Sequence, residues 1–198
     1  MKGAWRIRVP HHRENSLNTL RRFIGNALLL AVLLLSACGS ALAGPSTPEV
    51  APKVGLPAPD FQLRTPGGEN CQLSDLRGQA VFINFWATNC PHCRGEMHAI
   101  QAIYSRYGDQ GLMVLGINKG DSAIEAANFA QQLQLTFPLL LDRKGTVAKA
   151  YQVISVPTSF FIDREGVIRS THIGEMFEDD MAVRVETVLA DNVEKEQL

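Results

Sequence analysis

The chain has almost no net charge, few cysteines and no apolar run long enough to sit comfortably across a bilayer, and each shortage removes a class of function. A formal charge of -1 over 198 residues leaves no global basic field to draw a nucleic acid, so no nucleic-acid partner is expected. Positive charge is nevertheless uneven, crowding at Arg6, Arg8, Arg13, Arg21 and Arg22. Of the four cysteines only Cys90 and Cys93 form a C-x-x-C pair. The second C-x-x-C or H-x-H pair that a zinc site normally shows is missing, so no metal site is assigned. No internal repeat is visible. What is present is ordinary globular composition, 45% hydrophobic and 20% charged, enough for one domain of roughly 140 residues once an N-terminal segment is set aside.

That segment reads as an address. Arg21-Arg22 precede FIGNALLLAVLLL, too short for a membrane span of about 20 residues but of the length of a signal-peptide core. Leu35-Ser36-Ala37-Cys38 follows and resembles the lipobox of bacterial lipoproteins, which makes Cys38 a lipid anchor and the first mature residue. The competing cut, after Ala41-Leu42-Ala43, releases a soluble protein. Either route exports the domain to the periplasmic side of a bacterial cell envelope. The expected organisation is a signal peptide at 1–37, a Pro-, Ala-, Gly- and Ser-rich tether at 38–52, a folded domain at 53–192 and a polar tail at 193–198.

Within the domain, short apolar strands alternate with amphipathic helices. PDFQLRTPGGENCQLSDL predicts a hairpin turning at Pro66-Gly67-Gly68, and Val81 to Trp86 is an unbroken apolar run suited to a doubly covered central strand. Cys93, Met97, Ile100, Tyr104 and Tyr107 recur at spacings of four and three, the stripe of one helix face. A second buried strand is expected at 112–117, and Ser122-Ala123-Ile124-Glu125 is a capping box for a helix to about Leu133. Strands follow at 137–141, 159–162 and 167–173, with a short helical turn within 142–151 and a last helix at about 179–190. The order β-β-β-α-β-α-β-(α)-β-β-α predicts an α/β sandwich around one mixed sheet.

The cysteine pair therefore sits where a strand becomes a helix. A helix start favours thiolate over thiol, so Cys90 is the candidate nucleophile. Cys93, one turn in, is placed to close a disulfide and expel whatever Cys90 has captured. Pro91 suits the first helical position because its missing N–H would have no partner there. A purely structural disulfide is the weaker explanation, since so small a loop stabilises little.

VFINFWATNCPHCRGEM together with LTFPLLLDRKGTVAKAYQVISVPTSFFIDREGVI resembles the thioredoxin-fold, membrane-tethered thiol-disulfide oxidoreductases of the TlpA, ResA and CcmG type, over about residues 53 to 190. The resemblance implies a thioredoxin-like three-layer α/β/α sandwich with an N-terminal β-hairpin extension. It implies protein thiols and disulfides as substrates, apocytochrome c among them, and a membrane-embedded redox partner that supplies or removes electrons. It also implies a cis peptide at Pro157 beside the dithiol, with the Val156 backbone pairing with an incoming polypeptide. No cofactor is expected, and the protein is taken as a monomer. Of Trp86 and Phe85, one is assigned to the core and the other to the active-site wall, in either order, with Trp86 among the substrate-binding residues.

Three departures bear on mechanism. Asn89 stands where much of the family has tryptophan, His98 where proline is frequent, and Asn84 where thioredoxin carries a buried aspartate. The last leaves Glu96, one turn beyond Cys93, as the candidate acceptor of the Cys93 proton; the alternative is a solvated helix glutamate. His92, protonated or donating to the Cys90 sulfur, would stabilise the thiolate and raise the potential by about 30 mV per 1.4 kcal/mol. Cys-Pro-His-Cys is the pairing of the oxidising DsbA, whereas the TlpA-like scaffold is associated with reduction. Scaffold is taken here as the guide to partners and dipeptide as the guide to poise, predicting a Cys90 pKa well under about 8.5 and a potential above thioredoxin's roughly -270 mV. A DsbA-like oxidant and a Cu(I) chaperone using Cys90, Cys93 and His172 are the alternative functions. A peroxidase of the related peroxiredoxin class would need P-x-x-x-T-x-x-C, which FWATNC does not supply. Cys71, in an alternating segment, is assigned to packing, and His98 to the helix surface.

Overall fold

The structure, a computed structural model, describes residues 51–190. The expected signal peptide, the Cys38 anchor, the alternative cleavage site, nearly all of the tether and the tail lie outside the described residues.

Seven strands form one mixed sheet: β1 (Gln62–Arg64), β2 (Asn70–Gln72), β3 (Ala80–Trp86), β4 (Leu112–Lys119), β5 (Leu139–Asp142), β6 (Thr158–Ile162) and β7 (Ile168–Ile173). Their spatial order is β2-β1-β5-β4-β3-β6-β7. Four helices complete the domain: α1 (Pro91–Tyr107), α2 (Ala123–Gln132), α3 (Thr146–Ala150) and α4 (Glu178–Ala190). This is the thioredoxin-like α/β arrangement, in the predicted element order. The β1–β2 hairpin is part of the main sheet, because β1 also pairs antiparallel with β5.

β3 is central, parallel to β4 and antiparallel to β6. All seven of its residues are buried, so both faces must be covered. Its alternation divides the core in two. Phe82 and Trp86 join Met97, Ile100 and Ile103 of α1, Phe129 of α2, and Met181 and Val185 of α4 on one face. Val81, Ile83 and Phe85 meet Phe61, Leu73, Val147 and Tyr151 on the other. Asn84, between Phe82 and Trp86 in this alternation, is carried to the α1 face, where a polar group needs a partner.

The buried stripe of α1 is Cys93, Glu96, Met97, Ile100, Ile103 and Tyr107. Ile103 thus takes the place the spacing gave to Tyr104, whose ring is half-buried against Phe137 with centroids 6.2 Å apart. The capping box is formed, with Glu125 N–H donating to Ser122 Oγ and Ser122 N–H to the Glu125 carboxylate. β5 begins at Leu139, two residues later than the apolar run suggests. Among the described residues no helix is long and apolar enough to cross a membrane.

Candidate active site

Strand β3 ends at Trp86, and residues 87–90 turn the chain into α1. Asp121 fixes that turn from beyond β4: its Oδ2 accepts from Thr88 N–H at 2.7 Å and from Asn118 Nδ2 at 2.7 Å. Cys90 occupies the N-cap of α1 and Pro91 the first turn. The two cysteines form a disulfide. Cys90 is half-buried at the rim, whereas Cys93 is fully buried. Cys93 N–H donates to Cys90 Sγ at 3.1 Å, so an otherwise orphaned helix-start donor is aimed at the outer sulfur.

The second wall is the loop before β6. The Val156–Pro157 peptide is cis, as the resemblance implies, and the Val156 carbonyl oxygen lies 3.7 Å from Cys90 Sγ. Val156 is half-buried and Pro157 buried. The two sequence-distant segments expected at the site are thus brought together.

Beneath the disulfide lies a polar cluster. Glu96 is only 1% exposed, so it is not the solvated glutamate of the alternative reading. Asn84 Nδ2 donates to its Oε1 at 2.7 Å and Met176 N–H to its Oε2 at 3.1 Å. Asn84 Nδ2 also reaches Ser159 Oγ at 3.1 Å, the residue opposite it in the β3–β6 register. Burial pushes the Glu96 carboxyl up to about 7, and nearby Glu175 adds to this, against the Met176 and Asn84 donors that hold it down. Asn84 Oδ1 is buried without a partner, and a flip of the amide would offer it to a protonated Glu96.

Two expectations need correction. Neither Trp86 nor Phe85 walls the substrate site: both are fully buried, the Trp86 ring 4.6 Å from that of Phe129 and the Phe85 ring 5.4 Å from that of Tyr151. In the alternation of β3 Trp86 falls on the same face as Phe82, toward α1, α2 and α4. Nor does His92 contact the Cys90 sulfur. Its side chain, 76% exposed, puts Nδ1 2.8 Å from Glu175 Oε2.

Cys71 lies on β2, half-buried. Three strands separate β2 from β3, about 19 Å of sheet at ~4.8 Å per strand step. Burial and the Asp75 charge push its thiol up, which disfavours the reactive thiolate. His98 is on the exposed side of α1 and His172 on β7 opposite Ser159. Among the described residues no three His, Cys, Asp or Glu side chains are grouped to hold a metal ion. Nothing in the sequence marks Asp121, Ser159 or Glu175 as a site residue. Their partners lie 33, 75 and 83 residues away, and no local spacing signals such contacts.

Residues 54–171 match the AhpC/TSA family. Thiol-disulfide oxidoreductase ResA of Geobacillus kaustophilus is 35% identical over 168 residues, spanning 85% of this chain and 97% of that protein. Thioredoxin-like protein YneN of Bacillus subtilis is 40% identical over 146 residues, spanning 71% and 84%. Among solved structures, a Chlorobium tepidum protein assigned to the DsbE thiol:disulfide interchange type superposes with a TM-score of 0.65 at 31% identity, covering 69% of this chain and 98% of that one. StoA from Bacillus subtilis gives 0.57 at 30% identity, covering 65% and 97%.

Proposed function

The chain belongs to the AhpC/TSA family, alongside the ResA-type thiol-disulfide oxidoreductases, and we propose that it exchanges disulfides with protein substrates through Cys90 and Cys93. Thiol-disulfide oxidoreduction is the activity; the roles of the residues, the clients and the location are our reading. The observation that carries it is the placement of the disulfide, with one sulfur at the helix N-cap and rim and the other buried a turn below.

In the reducing direction the Cys90 thiolate attacks a client disulfide. One client sulfur leaves as a thiolate, and the other stays bonded to Cys90. Cys93 then gives its proton to the Glu96 carboxylate and attacks Cys90 Sγ, forming the internal disulfide and releasing the second client thiolate. Run backwards, a client thiolate attacks Cys90 Sγ, and neutral Glu96 protonates the departing Cys93. A carboxyl titrating near 7 can serve either direction at neutral pH.

Client backbone pairs with Val156 above Pro157, next to the sulfur it must approach. Clients are envelope protein thiols, apocytochrome c cysteines being one class. The domain works outside the cytoplasm, held to a membrane through Cys38, and trades electrons with a membrane-embedded dithiol partner. It acts as a monomer.

Cys93→Ser removes the resolving sulfur, so mixed disulfides should accumulate. In the native host, non-reducing electrophoresis is expected to show client adducts that vanish on reduction and are missing from Cys90→Ser. A Cys93→Ser protein never found joined to another polypeptide would overturn the reading.

A further inference from the structure

The sequence leaves a conflict between a scaffold associated with reduction and a dipeptide whose histidine favours oxidation. A cationic imidazole beside the Cys90 thiolate stabilises the reduced protein and so raises its potential. In the disulfide form described here the imidazole is elsewhere. The polar neighbours of Cys90 Sγ are Cys93 N–H at 3.1 Å and the Val156 carbonyl at 3.7 Å, while His92 Nδ1 is 2.8 Å from Glu175 Oε2.

Glu175 is held in place by its surroundings. The next residue, Met176, is buried and its N–H is tied to Glu96. On α1, position 95 is glycine, and a Cβ there would run into the Glu175 carboxylate. The side-chain gap at Gly95 is therefore filled by this acid. Of the other charged groups near the helix start, Arg94 lies over the Phe129 ring at 4.6 Å and Asp121 is bound to Thr88 and Asn118. Among the described residues Glu175 forms no ion pair besides that with His92.

We infer that Glu175 is a positioning residue that holds His92 away from the Cys90 sulfur and so draws the couple back toward reducing behaviour. The inference deepens the thiol-disulfide reading and rests on it. On reduction by glutathione, two glutathione thiols become one glutathione disulfide. The Cys90–Cys93 bond breaks, Cys93 keeps one proton, and Cys90 is left as thiolate with one proton released. Glu175 and that thiolate then compete for the one His92 ring. A carboxylate that wins part of the competition stabilises the disulfide side.

The test is the equilibrium of the purified protein with glutathione, read together with thiolate absorbance against pH. Glu175→Gln is expected to shift the equilibrium constant toward the reduced protein about three- to tenfold, consistent with the modest strength of a largely exposed pair, and to lower the Cys90 pKa in step. Gly95→Ala, which displaces the carboxylate without removing it, should move the constant in the same direction. In a His92→Ala background the Glu175→Gln shift should disappear. An unchanged or opposite shift in Glu175→Gln, or one of full size without His92, overturns the inference. The measurement needs only the Cys90–Cys93 couple, so failure to trap a client leaves its outcome untouched.

Discussion

At the scale of the residue, Glu96 is the buried acid to which the proposed function gives the proton transfers. Its folded-state pKa of about 7 stands above the ordinary 4.5, so the folded protein prefers the neutral carboxyl. That preference stabilises the fold fully below pH 4.5 and is lost as pH rises through 7, because the native state then surrenders a proton it had held more tightly than the unfolded chain. Wild-type unfolding free energy should therefore fall by about 2–3 kcal/mol between pH 4.5 and 7.5 relative to Glu96→Gln, at 1.36 kcal/mol per unit of pKa. Urea titrations of the disulfide form, in which Cys90 and Cys93 do not titrate, measure this. Asn84 can turn its unpartnered Oδ1 to the new amide, so the variant has a route to satisfied hydrogen bonds. In the dithiol form the same substitution should slow resolution of a Cys90 mixed disulfide by about 10²-fold, the usual size of a lost general base. Stopped-flow rates against pH should lose the inflection near 7.

Elements place these residues, and their periodicities were readable in advance. The strand β3, the capped start of α2 and the strand-to-helix position of the dithiol all follow from local spacing. The exchange of Tyr104 for Ile103 on the α1 stripe was not readable, since both positions fit a helical face and only packing against the sheet decides between them. Gly116 on β4 has the same character. A Cβ there would meet Phe137 at 3.0 Å and Trp86 Nε1 at 3.2 Å and would overlap Leu139. These are buried groups with little room to move. Gly116→Ala should destabilise the domain by about 1–3 kcal/mol, as overpacking does, seen as a lower denaturation midpoint. A midpoint at or above wild type would show that the layer of Trp86 and Phe137 yields more than its burial implies.

At the scale of the molecule, two of the exposed apolar side chains among the described residues flank the proposed client site. Ile154 is 85% exposed and Phe177 74%, each two residues from a segment of the site, Val156 on one side and Glu175 on the other. Ile154→Ser should slow exchange with an unfolded protein substrate about tenfold, equivalent to 1.4 kcal/mol of lost contact, while the glutathione equilibrium stays at the wild-type value. A loss of rate accompanied by a changed equilibrium would place the effect in the fold and not in the docking surface.

The sequence by itself determined the sandwich, the cysteine pair and its place at a helix start, because strand alternation, helical spacing and cap chemistry act over a few neighbouring residues. It also brought Val156-Pro157 to the site, by resemblance. Only the tertiary structure decided which groups surround the sulfurs: that Glu96 is buried and paired with Asn84, that Trp86 faces inward, and that Glu175 takes the imidazole expected at Cys90. Those outcomes depend on segments as many as 83 residues apart being pressed together by a core, and desolvation and ion pairing take their strength from that proximity.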